Sequence, residues 1–205
     1  MSTEKIIALT FDDGPNTVTT PQVLDIIQKH NVPASFFVCG NNITPESGSV
    51  MKRAADIGCE IHNHSQTHSD MTGMSPEEIR TEIDFTSDKI EEAVGVRPRF
   101  FRPPYIAVNE QMHAAIDLTF ICGLGAEDWL DEISAEERYS RIISQAEDGL
   151  VILLHDMAGN EKTVKAIDMI IPELKRQGYK FVTVSQLFEI KNVVPKRGEM
   201  YTTVK

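Results

Sequence analysis

The chain has 205 residues, with 20 Lys+Arg against 31 Asp+Glu and a formal net charge of −11 at pH 7. At 41% hydrophobic and 25% charged residues it is globular rather than disordered, and long enough to bury a core without disulfide or metal staples. No apolar run approaches the roughly 20 residues of a membrane span, and the acidic surplus disfavours nucleic acid, which is held chiefly by Lys and Arg on phosphates; a neutral ligand or a bound cation stays compatible.

In chain order, apolar runs of strand length at residues 6–10, 34–38, 59–62, 100–102, 119–123, 150–154 and 181–184 alternate with helix-period segments at 20–30, 47–57, 76–94, 110–117, 135–147 and 163–177. Ser75 with Glu78, and Ser134 with Glu137, have the spacing of a capping box, and Gly58, Gly95 and Gly178 stand where helices end. Strands alternating with helices imply parallel crossovers, hence an open doubly wound sheet or a (β/α) barrel. No G-x-G-x-x-G follows the first strand, which removes the usual dinucleotide-binding version. The opening MSTEKIIALTF lacks the leader of an export signal and enters a strand almost at once. Cys39, Cys59 and Cys122 form no C-x-x-C pair and sit in apolar stretches, as small buried hydrophobes do.

A barrel gathers its functional residues at the C-terminal ends of its strands, and polar residues cluster at those ends. The first strand runs into Thr10-Phe11-Asp12-Asp13-Gly14-Pro15. Alone, Asp-Gly-Pro is ordinary turn chemistry, yet adjacent carboxylates repel unless something positive lies beside them. After the third strand, His62, His64 and His68 place three of the six histidines within seven positions. His64 and His68 are four apart, so on one helical turn both imidazoles face the same way; with one of the two carboxylates they make a three-ligand set with room for water. His62 has strand alternation, points away from its neighbour, and is read either as support behind the ligands or as structural. Arg102 precedes the rigid Pro103-Pro104 and could hold a carboxylate bidentately. Glu127-Asp128-Trp129 contains the only tryptophan, suited to core or to the wall of a sugar site, and the sixth strand ends Leu153-Leu154-His155-Asp156.

Taken together, TFDDGP, HSQTH, RPPY, EDW and LLHD resemble the five ordered motifs of the polysaccharide deacetylase family, carbohydrate esterase family 4, with its NodB homology domain. The resemblance covers nearly the whole chain. It implies one catalytic domain over residues 1–205, folded as a distorted (β/α) barrel of seven or eight parallel strands. It further implies that Asp13, His64 and His68 bind a divalent metal, commonly zinc, with cobalt or nickel as substitutes. Asp12 is then the general base, held by Arg102; His155 is the general acid, held by Asp128. Tyr105 contributes its backbone N–H to the oxyanion hole. Trp129 and Leu153 line a pocket for the acetyl methyl, and Pro104 and Tyr105 complete the substrate-binding set.

Two positions depart from the family pattern: Ile106 stands where a Gly commonly follows the Tyr, and Gly125 where the fourth motif usually carries another Asp. Neither removes a ligand or an acid–base group, but both reshape the cleft. The expected substrate is an acetylated polysaccharide or oligosaccharide. Acetylxylan is the first choice, and N-acetylglucosamine polymers or oligomers (chitin, chitooligosaccharides, peptidoglycan) the alternative. A carbohydrate-binding domain without activity would be expected to lack a ligand, the base or the acid, and none is missing. The expected setting is extracellular, within a secreted bacterial enzyme, with a cytoplasmic one as the alternative.

Overall fold

A computed structural model describes residues 4–205. In chain order the elements are β1 (Lys5–Asp12), α1 (Thr19–His30), β2 (Ser35–Val38), α2 (Pro45–Asp56), β3 (Glu60–Asn63), α3 (Pro76–Val94), β4 (Phe100–Phe101), α4 (Glu110–Ala115), β5 (Thr119–Ile121), β6 (Leu124–Gly125), α5 (Ala135–Gln145), β7 (Val151–His155), α6 (Glu161–Arg176), β8 (Tyr179–Val182), α7 (Val184–Lys191) and β9 (Met200–Tyr201). All strand pairs are parallel, in the order β6-β7-β1-β2-β3-β4-β5-β9, with β8 also pairing with β1. β5 and β6 are two parts of one stretch broken at Cys122–Gly123, which leaves eight strands in a curled sheet flanked by helices. This is the distorted barrel expected from the sequence.

Two-residue alternation decides which side chains reach the site. Ile7, Leu9 and Phe11 of β1 pack in an outer cluster with Val23, Leu24 and Ile27 of α1 and Ile167, Ile170 and Ile171 of α6. Ile6 and Ala8 point the other way, into an inner cluster with Phe37, Phe100, Ile121, Val151 and Val182. Each fully buried Leu, Ile or Phe contributes about 1.5–3 kcal/mol. Continuing the same parity places Asp12 on the inner side of β1, Leu153 and His155 on that of β7, and Arg102 just beyond β4. The inner cluster is thus the floor of the site.

Two differences from the expected elements stand out. The run expected as a strand at 181–184 ends at Val182, because Thr183 accepts from the Gln186 N–H in a capping box and starts α7, whose Val184, Leu187 and Phe188 join the inner cluster. β9 has two residues, too few for a periodic signal. Behind it, Thr202 O accepts from Val151 N–H and Gly149 O from Val204 N–H, so the last residues run between β5 and β7. Gly149 permits this: its φ is +86°, and a Cβ there would lie 2.1 Å from Val204 O. Elsewhere the expected signals hold. Ser75 and Glu78 form a full capping box, Ser134 accepts from Glu137 N–H, and Gly58, Gly95 and Gly178 have positive φ. Among the described residues no helix is long and apolar enough to cross a membrane.

Candidate active site

β1 delivers two carboxylates by different means. Asp12 ends the strand and is 2% exposed; Asp13 has left it, at φ +72°, and so points away from the direction strand alternation would give it. His64 and His68 follow β3, but not on a helical turn. The segment is a loop with positive φ at Ser65 and His68, pinned by His68 N–H to Ser65 Oγ (3.0 Å), Ser65 N–H to Asn63 Oδ1 (2.8 Å) and two N–H groups on Glu82 Oε2. The expectation of a helical pair is therefore corrected, although the imidazoles do converge. Their partner is Asp13, whose Oδ1 lies 3.4 Å from His64 Nε2 and 3.3 Å from His68 Nε2.

Those separations fit a metal. Two ligands on a tetrahedral ion with bonds of about 2.0–2.1 Å stand about 3.3–3.4 Å apart. Asp13, His64 and His68 form the one group of at least three His, Cys, Asp or Glu among the described residues able to hold an ion, and buried Asp13 Oδ1 has no hydrogen-bond partner. His64 is aimed from behind, its Nδ1–H donating to Arg102 O at 2.6 Å. Burial works against the charge on Asp13, but the facing His64 imidazole, with His155 and His68 beyond it, outweighs burial and holds its carboxyl low. Burial and the His64 charge lower His68 against the pull of Asp13 and Asp12.

Asp12 is the neighbouring carboxylate. Its Oδ1 accepts from Arg102 Nη1 at 2.5 Å, and its Oδ2 is 3.8 Å from His64 Nε2. Arg102 is fully buried, donates from Nη2 to Cys122 O at 2.7 Å, and lies over the Phe37 ring at 4.1 Å. Across the cleft, His155 donates from Nδ1 to Asp128 Oδ1 at 2.8 Å, and its backbone N–H donates to Asp128 Oδ2 at 2.9 Å. Burial alone would lower the pKa of His155; the hydrogen bond and charge of Asp128, helped by Asp12 and Asp13, instead push it up to about 9.

Asp12, Asp13, His64, His68, Tyr105, Trp129, Leu153 and His155 all border one cleft of about 630 Å³. Arg102 and Asp128 lie behind it, fully buried. Both Pro103 and Pro104 are buried, and of the two it is Pro103 that borders the cleft. The turn Pro103 O to Ile106 N–H and Pro104 O to Ala107 N–H carries Tyr105 and Ile106 at positive φ. Tyr105 is 71% exposed with its ring 4.9 Å from that of His68, and Trp129 is 50% exposed with its ring 5.3 Å from that of His155. Ile106 and Gly125 both border the cleft; a Cβ on Gly125 would meet Leu153 O at 2.8 Å. His62 is structural, packed between Phe37 and Phe100 and bonded to Glu60.

Three side chains given no role from the sequence adjoin this machinery. Thr163 Oγ1 and Asn160 Nδ2 donate to Asp128 Oδ2 at 2.6 and 3.4 Å. Asp156, fully buried, accepts from Thr20 Oγ1 and is pushed up to about 7, chiefly by burial and further by Asp13 and Asp12. It stands in the LLHD motif, so only its neighbours were missing as a clue.

The cleft thus holds two carboxylates and two histidines on one side and an Asp128-bonded histidine on the other, and the family model for polysaccharide deacetylase matches residues 1–120. The chain belongs to the polysaccharide deacetylase family. The Asp13–His64–His68 group, able to hold an ion, accords with that membership. It is 51% identical over 94% of its length to a bifunctional xylanase/deacetylase of Pseudobutyrivibrio xylanivorans, and 40% identical over 92% to the peptidoglycan-N-acetylmuramic acid deacetylase PdaC of Bacillus subtilis. It spans 32% and 40% of the length of these two relatives. A family 4 acetyl xylan esterase from Clostridium thermocellum, solved with a cobalt ion, superposes with a TM-score of 0.95 at 41% identity, covering 98% of this chain and 99% of that one.

Proposed function

We propose that this chain hydrolytically removes acetyl groups from a polysaccharide, acetylxylan first, using a divalent metal. The observation that carries the reading is the Asp13–His64–His68 triangle set between Asp12 and His155 in one open cleft. Asp13, His64 and His68 would hold zinc (or cobalt or nickel in its place), which would supply Lewis acidity toward water and the acetyl carbonyl. Asp12 takes the proton of the attacking water on Oδ2, since Arg102 occupies Oδ1. The backbone N–H of Tyr105 donates to the oxygen on which negative charge develops. His155 then protonates the leaving sugar oxygen from Nε2, its Nδ1–H being committed to Asp128. Leu153 and Trp129 receive the acetyl methyl.

The substrate choice is supported by the xylanase/deacetylase and the acetyl xylan esterase, and by an acidic chain that suits a neutral polymer better than a polyanion. The alternative, N-deacetylation of N-acetylglucosamine polymers, is favoured by the 40% identity to a peptidoglycan deacetylase. Coverage of 98% against the solved esterase supports reading residues 1–205 as one catalytic domain, and an acetylated polymer as substrate supports an extracellular setting. The deciding experiment measures acetate release side by side from acetylated xylan, chitooligosaccharides and peptidoglycan. Release from xylan is expected to dominate; release from the N-acetylated substrates alone overturns that choice.

A further inference from the structure

We infer that Arg138 is a positioning residue of the acid half of the site: through Asn160 and Thr163 it fixes Asp128, and through Asp128 the imidazole of His155. The inference rests on the reading of His155 as the proton donor.

Arg138 lies on α5 and is 1% exposed, so its charge has been taken out of water and must be fully bonded to be tolerated. It is. Nε donates to Ile133 O at 3.0 Å and Nη2 to Leu130 O at 2.9 Å; Nη1 donates to Asn160 Oδ1 at 2.5 Å and to Thr163 Oγ1 at 2.9 Å. A guanidinium only donates, which sets the polarity of everything beyond it. Asn160 must turn its oxygen to Arg138 and so presents its NH2 to Asp128 Oδ2 (3.4 Å) and His155 O (2.9 Å). Thr163 offers Arg138 a lone pair and gives its hydroxyl proton to Asp128 Oδ2 at 2.6 Å. With His155 N–H also on Oδ2, that oxygen is filled, and Oδ1 is left for His155 Nδ1. The ring is thereby oriented with Nε2 toward the cleft. One buried cation thus ties the segment after Trp129 to the start of α6 and selects which Asp128 oxygen meets the acid.

A purely structural Arg138 would hold the same segment and leave the chemistry of His155 alone. The titratable groups facing His155 are Asp128, Asp12 and Asp13 from the end of β1, and His68 from the loop after β3; the variants below keep all four. In metal-loaded enzyme, Arg138→Lys and Thr163→Val are expected to lower kcat by about tenfold or more, the scale on which partners behind a reacting group act. KM and metal content should stay unchanged, and the basic limb of the kcat/KM profile should move to lower pH. In a His155→Ala background neither substitution should lower kcat further. If Arg138→Lys fails to fold, Thr163→Val, which deletes one hydroxyl at nearly constant volume, decides alone. Wild-type kcat and an unmoved basic limb in Thr163→Val overturn the inference, as does an equal loss with and without His155. A His155→Ala variant with wild-type kcat removes instead the acid assignment on which it rests.

Discussion

Replacing Arg102 by Met tests whether the Asp12–Arg102 pair is one buried electrostatic unit. Arg102 is fully buried and Asp12 is 2% exposed; Nη1 meets Oδ1 at 2.5 Å while Nη2 satisfies Cys122 O at 2.7 Å. Met keeps an aliphatic stem against the Phe37 ring, so little packing is lost. What goes is the partner of a carboxylate shut away from water, a change that costs about 3–5 kcal/mol when one member of a buried pair is removed. A domain stable by about 5–15 kcal/mol loses a large share of its margin. At about 2–4 °C per kcal/mol for this chain length, Tm should fall by about 6–20 °C. Urea and thermal unfolding should be followed with a chelator present, so that no cation neutralises Asp12 in place of Arg102. Adding Asp12→Asn to the Arg102→Met background should recover part of the loss, because the orphaned charge is then gone. A loss below about 1 kcal/mol, or single costs that add to within about 0.5 kcal/mol, would refute the reasoning.

Asp13→Ala or His64→Ala should abolish metal retention, read by elemental analysis after gel filtration, and activity with it, while far-UV circular dichroism stays native; full activity in metal-free buffer contradicts the site. His155→Ala should keep the metal but lose about 10²–10⁴ in kcat, the usual contribution of a general acid, and near-wild-type turnover removes it from that role. His155 donates only while protonated, so kcat/KM should fall as pH rises through its pKa near 9. In Asp128→Asn burial still lowers that pKa and the main raising influence is gone, so the fall should begin at lower pH; a basic limb that does not move disproves the Asp128–His155 coupling.

Much of this site is legible in the sequence because strand parity carries it. Asp12, Arg102 and His155 each end or closely follow an apolar run, and alternation along that run points them inward. Where the reading went astray, spacing was ambiguous or contacts were distant. Spacing of four residues suits a helical turn, yet His64 and His68 converge through a loop whose shape depends on Ser65 at positive φ and on Glu82, a residue of α3. Arg138, Asn160 and Thr163 meet only because α5 packs on α6, and no local pattern in either helix announces it. Pro104 and Pro103 are indistinguishable in the sequence; the turn at Tyr105 decides which one faces the cleft.

The two halves of the proposed site are supported in opposite ways, and this accounts for the buried Arg102, Asp128 and Arg138. On the side of the proposed base a cation stands directly behind the carboxylate: Arg102 binds Asp12 with its guanidinium and His64 with its backbone carbonyl, so one residue orients the proposed base and one proposed metal ligand together. On the acid side an anion stands behind the working imidazole, and the cation is one layer further out, with Arg138 reaching Asp128 only through Asn160 and Thr163. Direct contact of Arg138 with Asp128 would neutralise the carboxylate that raises His155 and weaken the acid. Interposing a neutral amide and hydroxyl keeps Asp128 oriented while leaving its charge to act on the imidazole. A group that must accept a proton is thus backed by a cation, and a group that must deliver one is backed by an anion whose own support is uncharged at the point of contact.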